Sequence, residues 1–179
     1  MRYGILTTAL ICLLAATARA TVIVPADLAE LTRDARAIVR GHVVAVDAQW
    51  TDARRTVETV VTLEPEHYLK GQLGDLVRFR VPGGTMGRYR NIVVGAPQFA
   101  VGQRVIVFLG ASGPRVPFVL GLNQGVYRVA VSDSGAAVVA PPPVLPGVRG
   151  PIVRGTAARR PAPLAEFERD VRLLVEEGR

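Results

Sequence analysis

Residues 37–50 read Ala37-Ile38-Val39-Arg40-Gly41-His42-Val43-Val44-Ala45-Val46-Asp47-Ala48-Gln49-Trp50. Ile38, Val39, Val43, Val44 and Val46 are β-branched and favour a strand, while Gly41 interrupts them as a bend or bulge does. The stretch predicts one long strand kinked near its start. Such a strand can serve both halves of a small closed barrel.

The neighbouring sequence carries the same pattern. Asp47 to Arg55 is polar and reads as a hairpin loop, followed by a second long strand. There Val57, Thr59, Val61 and Leu63 fall on one face, with Glu58, Val60, Thr62 and Glu64 on the other. Pro65 cannot donate to a ladder, so a bulge or an edge is expected there before the strand resumes through His67-Tyr68-Leu69. Gly71 and Gly74 end it. In Leu76–Val81, Val77, Phe79 and Val81 alternate with Arg78 and Arg80, as a half-buried strand requires. Residues 82–103 form a glycine-punctuated connection, with a short strand expected at Asn91–Val94. Val105-Ile106-Val107-Phe108-Leu109 is a continuous apolar run and reads as a central strand. Further strands are expected at Val116–Leu120, Val126–Val131 and, after the turn Asp133-Ser134-Gly135, at Ala136–Ala140.

Helices are expected only at the two ends. Asp27 with Glu30 forms a capping-box pair ahead of a helix over 27–35. Residues 141–163 hold seven prolines, Pro141, Pro142, Pro143, Pro146, Pro151, Pro161 and Pro163, with Arg149, Arg154, Arg159, Arg160 and no acid. This composition predicts a stiff, extended, basic linker. Leu164, Phe167, Val171 and Leu174 then repeat at helical spacing over 164–177, and that stripe should dock on the barrel. The expected fold is mainly β: a small OB-like barrel at 21–140, a linker at 141–163 and a terminal helix at 164–179. Strand spacing alone leaves an immunoglobulin-like sandwich open, although no tryptophan stands between two cysteines to favour it.

The first 20 residues read as an export signal. Arg2 precedes the apolar run Ile5–Ala16, and Ala18-Arg19-Ala20 offers small residues for cleavage before Thr21. The run falls short of the ~20 residues that span a bilayer. Secretion or a periplasmic location is expected, with no membrane span after cleavage. The whole chain has 22 basic and 15 acidic residues for a net charge of +7; loss of Arg2 and Arg19 leaves 20 against 15, or +5. Lys70 is the only lysine. This modest excess gives weak attraction to polyanions and no case for nucleic-acid binding. Cys12, the single cysteine, lies in the signal, so the mature chain has no disulfide, thiolate nucleophile or cysteine-ligated metal.

Ala37-Ile38-Val39-Arg40-Gly41-His42-Val43 resembles the first strand of the netrin-like OB domains, which include the tissue inhibitors of metalloproteinases. So do Tyr68-Leu69-Lys70-Gly71 and Val101-Gly102-Gln103-Arg104-Val105-Ile106-Val107-Phe108-Leu109. Residues 26–131 also resemble an uncharacterised exported bacterial domain that in some proteins accompanies metallopeptidases. That likeness rests on Val81-Pro82-Gly83-Gly84, Gly95-Ala96-Pro97-Gln98-Phe99 and Gly121-Leu122-Asn123-Gln124-Gly125. The resemblance implies a netrin-like barrel and, as an alternative function, a regulator of an exported metallopeptidase. Those inhibitors place an N-terminal cysteine on the catalytic zinc. Thr21 stands at the expected N-terminus here, so the resemblance does not bring that chemistry with it.

Catalytic templates fail one by one. His42 and His67 have no second ligand at metal-site spacing, and Glu64, Glu66 and His67 around Pro65 read as a solvated strand edge. Glu64 and Glu66 on one strand share an environment and lack the contrast that a glycosidase pair needs. Gly110-Ala111-Ser112-Gly113-Pro114 has proline where a nucleophile elbow closes with glycine. Gly83-Gly84-Thr85-Met86-Gly87 lacks the lysine and the helix of a phosphate loop. Trp50 reads as a lid on the barrel. What remains for partner contact is arginine: Arg78 and Arg80 on one strand face, with Arg88, Tyr89 and Arg90 ten residues on. Folded together, they would suit anionic groups. The expectation is an exported, non-enzymatic binding module without a cofactor or metal, its partner a protein or an anionic envelope component.

Overall fold

The structure is a computed structural model that describes residues 26–51, 56–111, 116–132, 134–141 and 160–178. The expected signal, Ser112 and most of the expected linker lie outside these residues. In chain order the elements are α1 (Leu28–Asp34), β1 (Ala37–Trp50), β2 (Val57–Lys70), β3 (Val77–Pro82), β4 (Gly84–Met86) and β5 (Tyr89–Asn91). Then follow β6 (Arg104–Gly110), β7 (Phe118–Val119), β8 (Val126–Val131), β9 (Ala137–Ala140), β10 (Ala162–Pro163) and α2 (Leu164–Glu177).

The 37–50 stretch is a single strand, bent at the glycine. Its ladder with β2 slips between Arg40 and Gly41, where Gly41 faces Pro65. A Cβ on Gly41 would stand 2.2 Å from the Glu64 carbonyl oxygen, so this approach of two backbones requires glycine. Through the bend, β1 also pairs with β6, from Ala37↔Leu109 to His42↔Arg104. The sheet thus runs β1-β2-β3-β7-β6 and returns to β1. All of these ladders are antiparallel except β3 with β7, which meet at Arg80↔Phe118. This is the mainly β, OB-like barrel expected. Beyond β6, strands β8, β9 and β10 extend the sheet outward.

Two apolar layers share β1 and β6. Inside the barrel pack Val39, Val61, Leu63, Phe79, Val105 and Val107, among others. On the outer side Ile38, Ile106 and Phe108 meet α1 and α2. This accounts for the unbroken apolar run of β6, since a strand covered on both faces has no polar side. The asparagine-free capping box forms as expected: Asp27 accepts from the Glu30 amide at 2.7 Å, and Glu30 accepts from the Asp27 amide at 3.1 Å.

The terminal helix docks. Phe167, Val171 and Val175 are buried, and the Tyr127 ring stands 5.6 Å from Phe108 and 4.7 Å from Phe167. Val175 takes the inward place expected of Leu174, because the helix continues from Val171 by four residues rather than three. Glu168 is buried beside this stripe.

Other differences are local. The strand expected at 91–94 is replaced by the hairpin β4–β5, which turns at Gly87 with φ +57°. Glycine adopts that left-handed conformation without strain, so the turn forms earlier than the apolar run suggests. The strand expected at 116–120 is ordered in a ladder only at Phe118–Val119. Ala162–Pro163, the last residues of the expected linker stretch before the helix, pair with Val139 and Val138 of β9.

Candidate functional site: a cleft at the open barrel end

The hairpin β4–β5 folds back over one end of β1 and β2. Thr59 Oγ1 donates to the Gly83 carbonyl at 2.8 Å, and Asn91 Nδ2 donates to the Val57 carbonyl at 2.9 Å. A Cβ on Gly84 would lie 2.8 Å from Thr59 Oγ1, so glycine lets the hairpin sit this close. Trp50 and Tyr89 meet edge to face at 5.1 Å, and the Arg88 guanidinium lies 5.1 Å from the Tyr89 ring centre. Trp50 therefore clamps the hairpin as well as ending β1.

Between this hairpin and residues 92–99 lies a cleft of ≈ 290 Å³. Val46, Thr59, Val81 and Phe99 form part of its lining, and Phe99 is fixed edge-on against Phe79 at 5.4 Å. Arg90 lines it too, and among the described residues no carboxylate pairs with that guanidinium. The following segment exposes Ile92 at 69% and Val94 at 74%, and Val101 a little further on is 66% exposed. A cationic group at a cleft with large exposed apolar side chains beside it offers both charged and apolar contact on one surface.

The structure gathers Arg88, Tyr89 and Arg90 on the hairpin. Arg78 and Arg80 project from β3 on the side opposite Phe79, whose ring is in the barrel core. Arg80 is occupied there: it lies 3.6 Å from Glu58 and donates to the Val116 carbonyl at 3.3 Å. Arg78 is exposed.

A second polar cluster lies away from the cleft, and its full extent is not legible in any local spacing. Glu66 receives Arg40 Nε at 2.8 Å, Arg104 NH2 at 2.6 Å and His42 Nδ1 at 2.8 Å. Arg40 also binds Glu168, which lies 3.4 Å from Arg172, and Arg172 reaches His67 Nε2 at 3.1 Å. Burial by itself would raise the Glu66 carboxyl, but the Arg104 hydrogen bond and the charges of Arg104, Arg40 and His42 hold it below its ordinary value. The hydrogen bond to Glu66 in turn raises Arg104. A carboxylate held ionised by several cations is a structural tie rather than a proton-transfer group. Among the described residues, no group of three His, Cys, Asp or Glu side chains is placed to hold a metal ion. Glu64 is exposed on β2, and Ser132 and Ser134 bond to each other at 2.8 Å. Among the described residues no helix is long and apolar enough to cross a membrane.

No protein-family model matches the chain, and no curated protein is significantly similar to it.

Proposed function

We propose that the protein is an exported binding module with no catalytic chemistry of its own, and that a protein partner engages it at the barrel-end cleft. The single observation behind this reading is the juxtaposition of Arg90, at the cleft, with the exposed side chains of Ile92 and Val94. A partner that places a carboxylate on Arg90 and apolar side chains against Ile92 and Val94 satisfies both chemistries, and arginine holds carboxylates in a planar fork. Export rests on Arg2, the apolar run Ile5–Ala16 and Ala18-Arg19-Ala20.

A photo-crosslinking residue at position 92 tests the reading in the envelope and culture fractions of the producing cell. The expected result is a discrete protein adduct that disappears when Arg90→Glu is added. The same group at Leu173, exposed on α2, should give no such adduct. Equal adducts from both positions would refute a specific site at the cleft. The resemblance to netrin-like domains supports an exported metallopeptidase as one identity for the adduct, and mass spectrometry of the band decides that point.

A further inference from the structure

A second cavity, of ≈ 250 Å³, lies on a different part of the molecule, where the end of α1, the end of β2 and the last turn of α2 meet. Its lining includes Thr32, Arg33, Arg36 and Lys70, closed by Leu174 and Gly178. Gly71 brings these cations together: with φ +63°, it lies so close to the Arg36 carbonyl that a Cβ would stand 2.4 Å from that oxygen. Three cations line the cavity, and no acid does. Asp34 neutralises Arg33 at 3.0 Å, and among the described residues no carboxylate pairs with Arg36. Lys70 spends two of its three N–H bonds on the Thr32 and Arg33 carbonyls, at 2.6 and 3.0 Å. Burial holds its ammonium below the ordinary lysine value, against the opposing charge of Asp34. Thr32 is 1% exposed, and its hydroxyl has no hydrogen-bond partner. A buried hydroxyl without a partner, beside the Arg36 guanidinium and a Lys70 ammonium with one N–H left over, suits an acceptor that carries negative charge.

We infer that this cavity binds a phosphomonoester-type oxyanion, held by Arg36, the remaining Lys70 proton and the Thr32 hydroxyl. Two positive charges match the dianion, and three donors match its oxygens. Either free phosphate or a phosphomonoester lipid headgroup supplies this chemistry.

Two arms separate the sources, each run on the full mature chain. In one, inorganic phosphate is titrated calorimetrically at ionic strength held constant with chloride. In the other, the protein is floated with phosphatidylcholine vesicles, with and without phosphatidic acid. Saturable phosphate binding assigns the free anion. Flotation that depends on phosphatidic acid, without binding of free phosphate, assigns the headgroup. In whichever arm binds, Arg36→Gln should weaken binding by about tenfold, the loss of one charge-assisted contact. Arg36 is exposed, so this variant should keep its fold. Thr32→Val should weaken the same binding while raising the Tm of the anion-free protein, because it removes the unpartnered hydroxyl. No binding in either arm, or binding unchanged in Arg36→Gln, would overturn the inference.

Discussion

Arg40 on β1 donates to Glu168 on α2, a residue 128 positions further along the chain that is only 7% exposed. The same guanidinium donates from Nε to Glu66 at 2.8 Å. The terminal helix is thus tied to the barrel through alternating charges as well as through Phe167, Val171 and Val175. A carboxylate this buried is stable because Arg40 and Arg172 replace its lost water.

Replacing Glu168 by Ala should cost about 2 kcal/mol, since it removes charge-assisted bonds and leaves Arg40 with Glu66 alone. Urea denaturation measures this. A loss below about 0.5 kcal/mol would place the pair with ordinary surface ion pairs.

Glu66 gives a pH signature. Its carboxyl is held below the ordinary 4.5, so the unfolded chain takes up the proton first as the solution is acidified. Its stabilisation is present above pH 4.5 and is lost as pH falls through the lower folded-state value. Glu66→Gln should therefore melt below the wild type at neutral pH, with the gap narrowing under acid. A gap that stays constant from neutral pH to well below 4.5 would show that Glu66 is not the linked group.

Gly41→Ala should destabilise by about 2 kcal/mol, because its Cβ meets a backbone oxygen that cannot rotate away. Ala45→Gly on the same strand lacks this clash, and the two variants compared in denaturant separate collision from a general loss of strand propensity.

Much of this architecture was legible in local sequence. The capping box at Asp27 and Glu30, the alternation of Val77, Phe79 and Val81, and the two-sided apolar run of β6 each state their structure within a few residues. Gly41 announced the bend for the same reason. The cleft was only half legible: Arg88, Tyr89 and Arg90 stood out by composition, but the turn at Gly87 that joins them to Trp50 depends on backbone conformation. Arg78 and Arg80 lie on the face of β3 opposite Phe79, because a strand sends alternate side chains to opposite faces. The Glu66 cluster was the least legible. Its partners come from β1, β6 and, through Arg40, from α2, and no spacing rule links residues so far apart in sequence.

Trp50 is the single tryptophan, and it touches the hairpin through Tyr89. Tyr89→Leu should change its emission without a matching loss of global stability. Partner engagement at the cleft should change the same signal, which gives a label-free binding assay. Emission unaffected by Tyr89→Leu would separate the ring contact from the environment of Trp50.

Any attraction to polyanions should weaken with salt, because these guanidinium groups are exposed and screened. On an anionic resin, Arg88→Ala with Arg90→Ala should elute earlier than Arg78→Ala with Arg80→Ala, since Arg80 is already bound to Glu58. The reverse order would move the attraction to the β3 face.

The outer sheet finishes in β10, two residues long, where Pro161 and Pro163 flank Ala162 immediately before the chain coils into α2. Prolines offer no N–H to an incoming strand. The free margin of this sheet therefore offers few donors to further copies, which disfavours fibre-like self-association at high protein concentration.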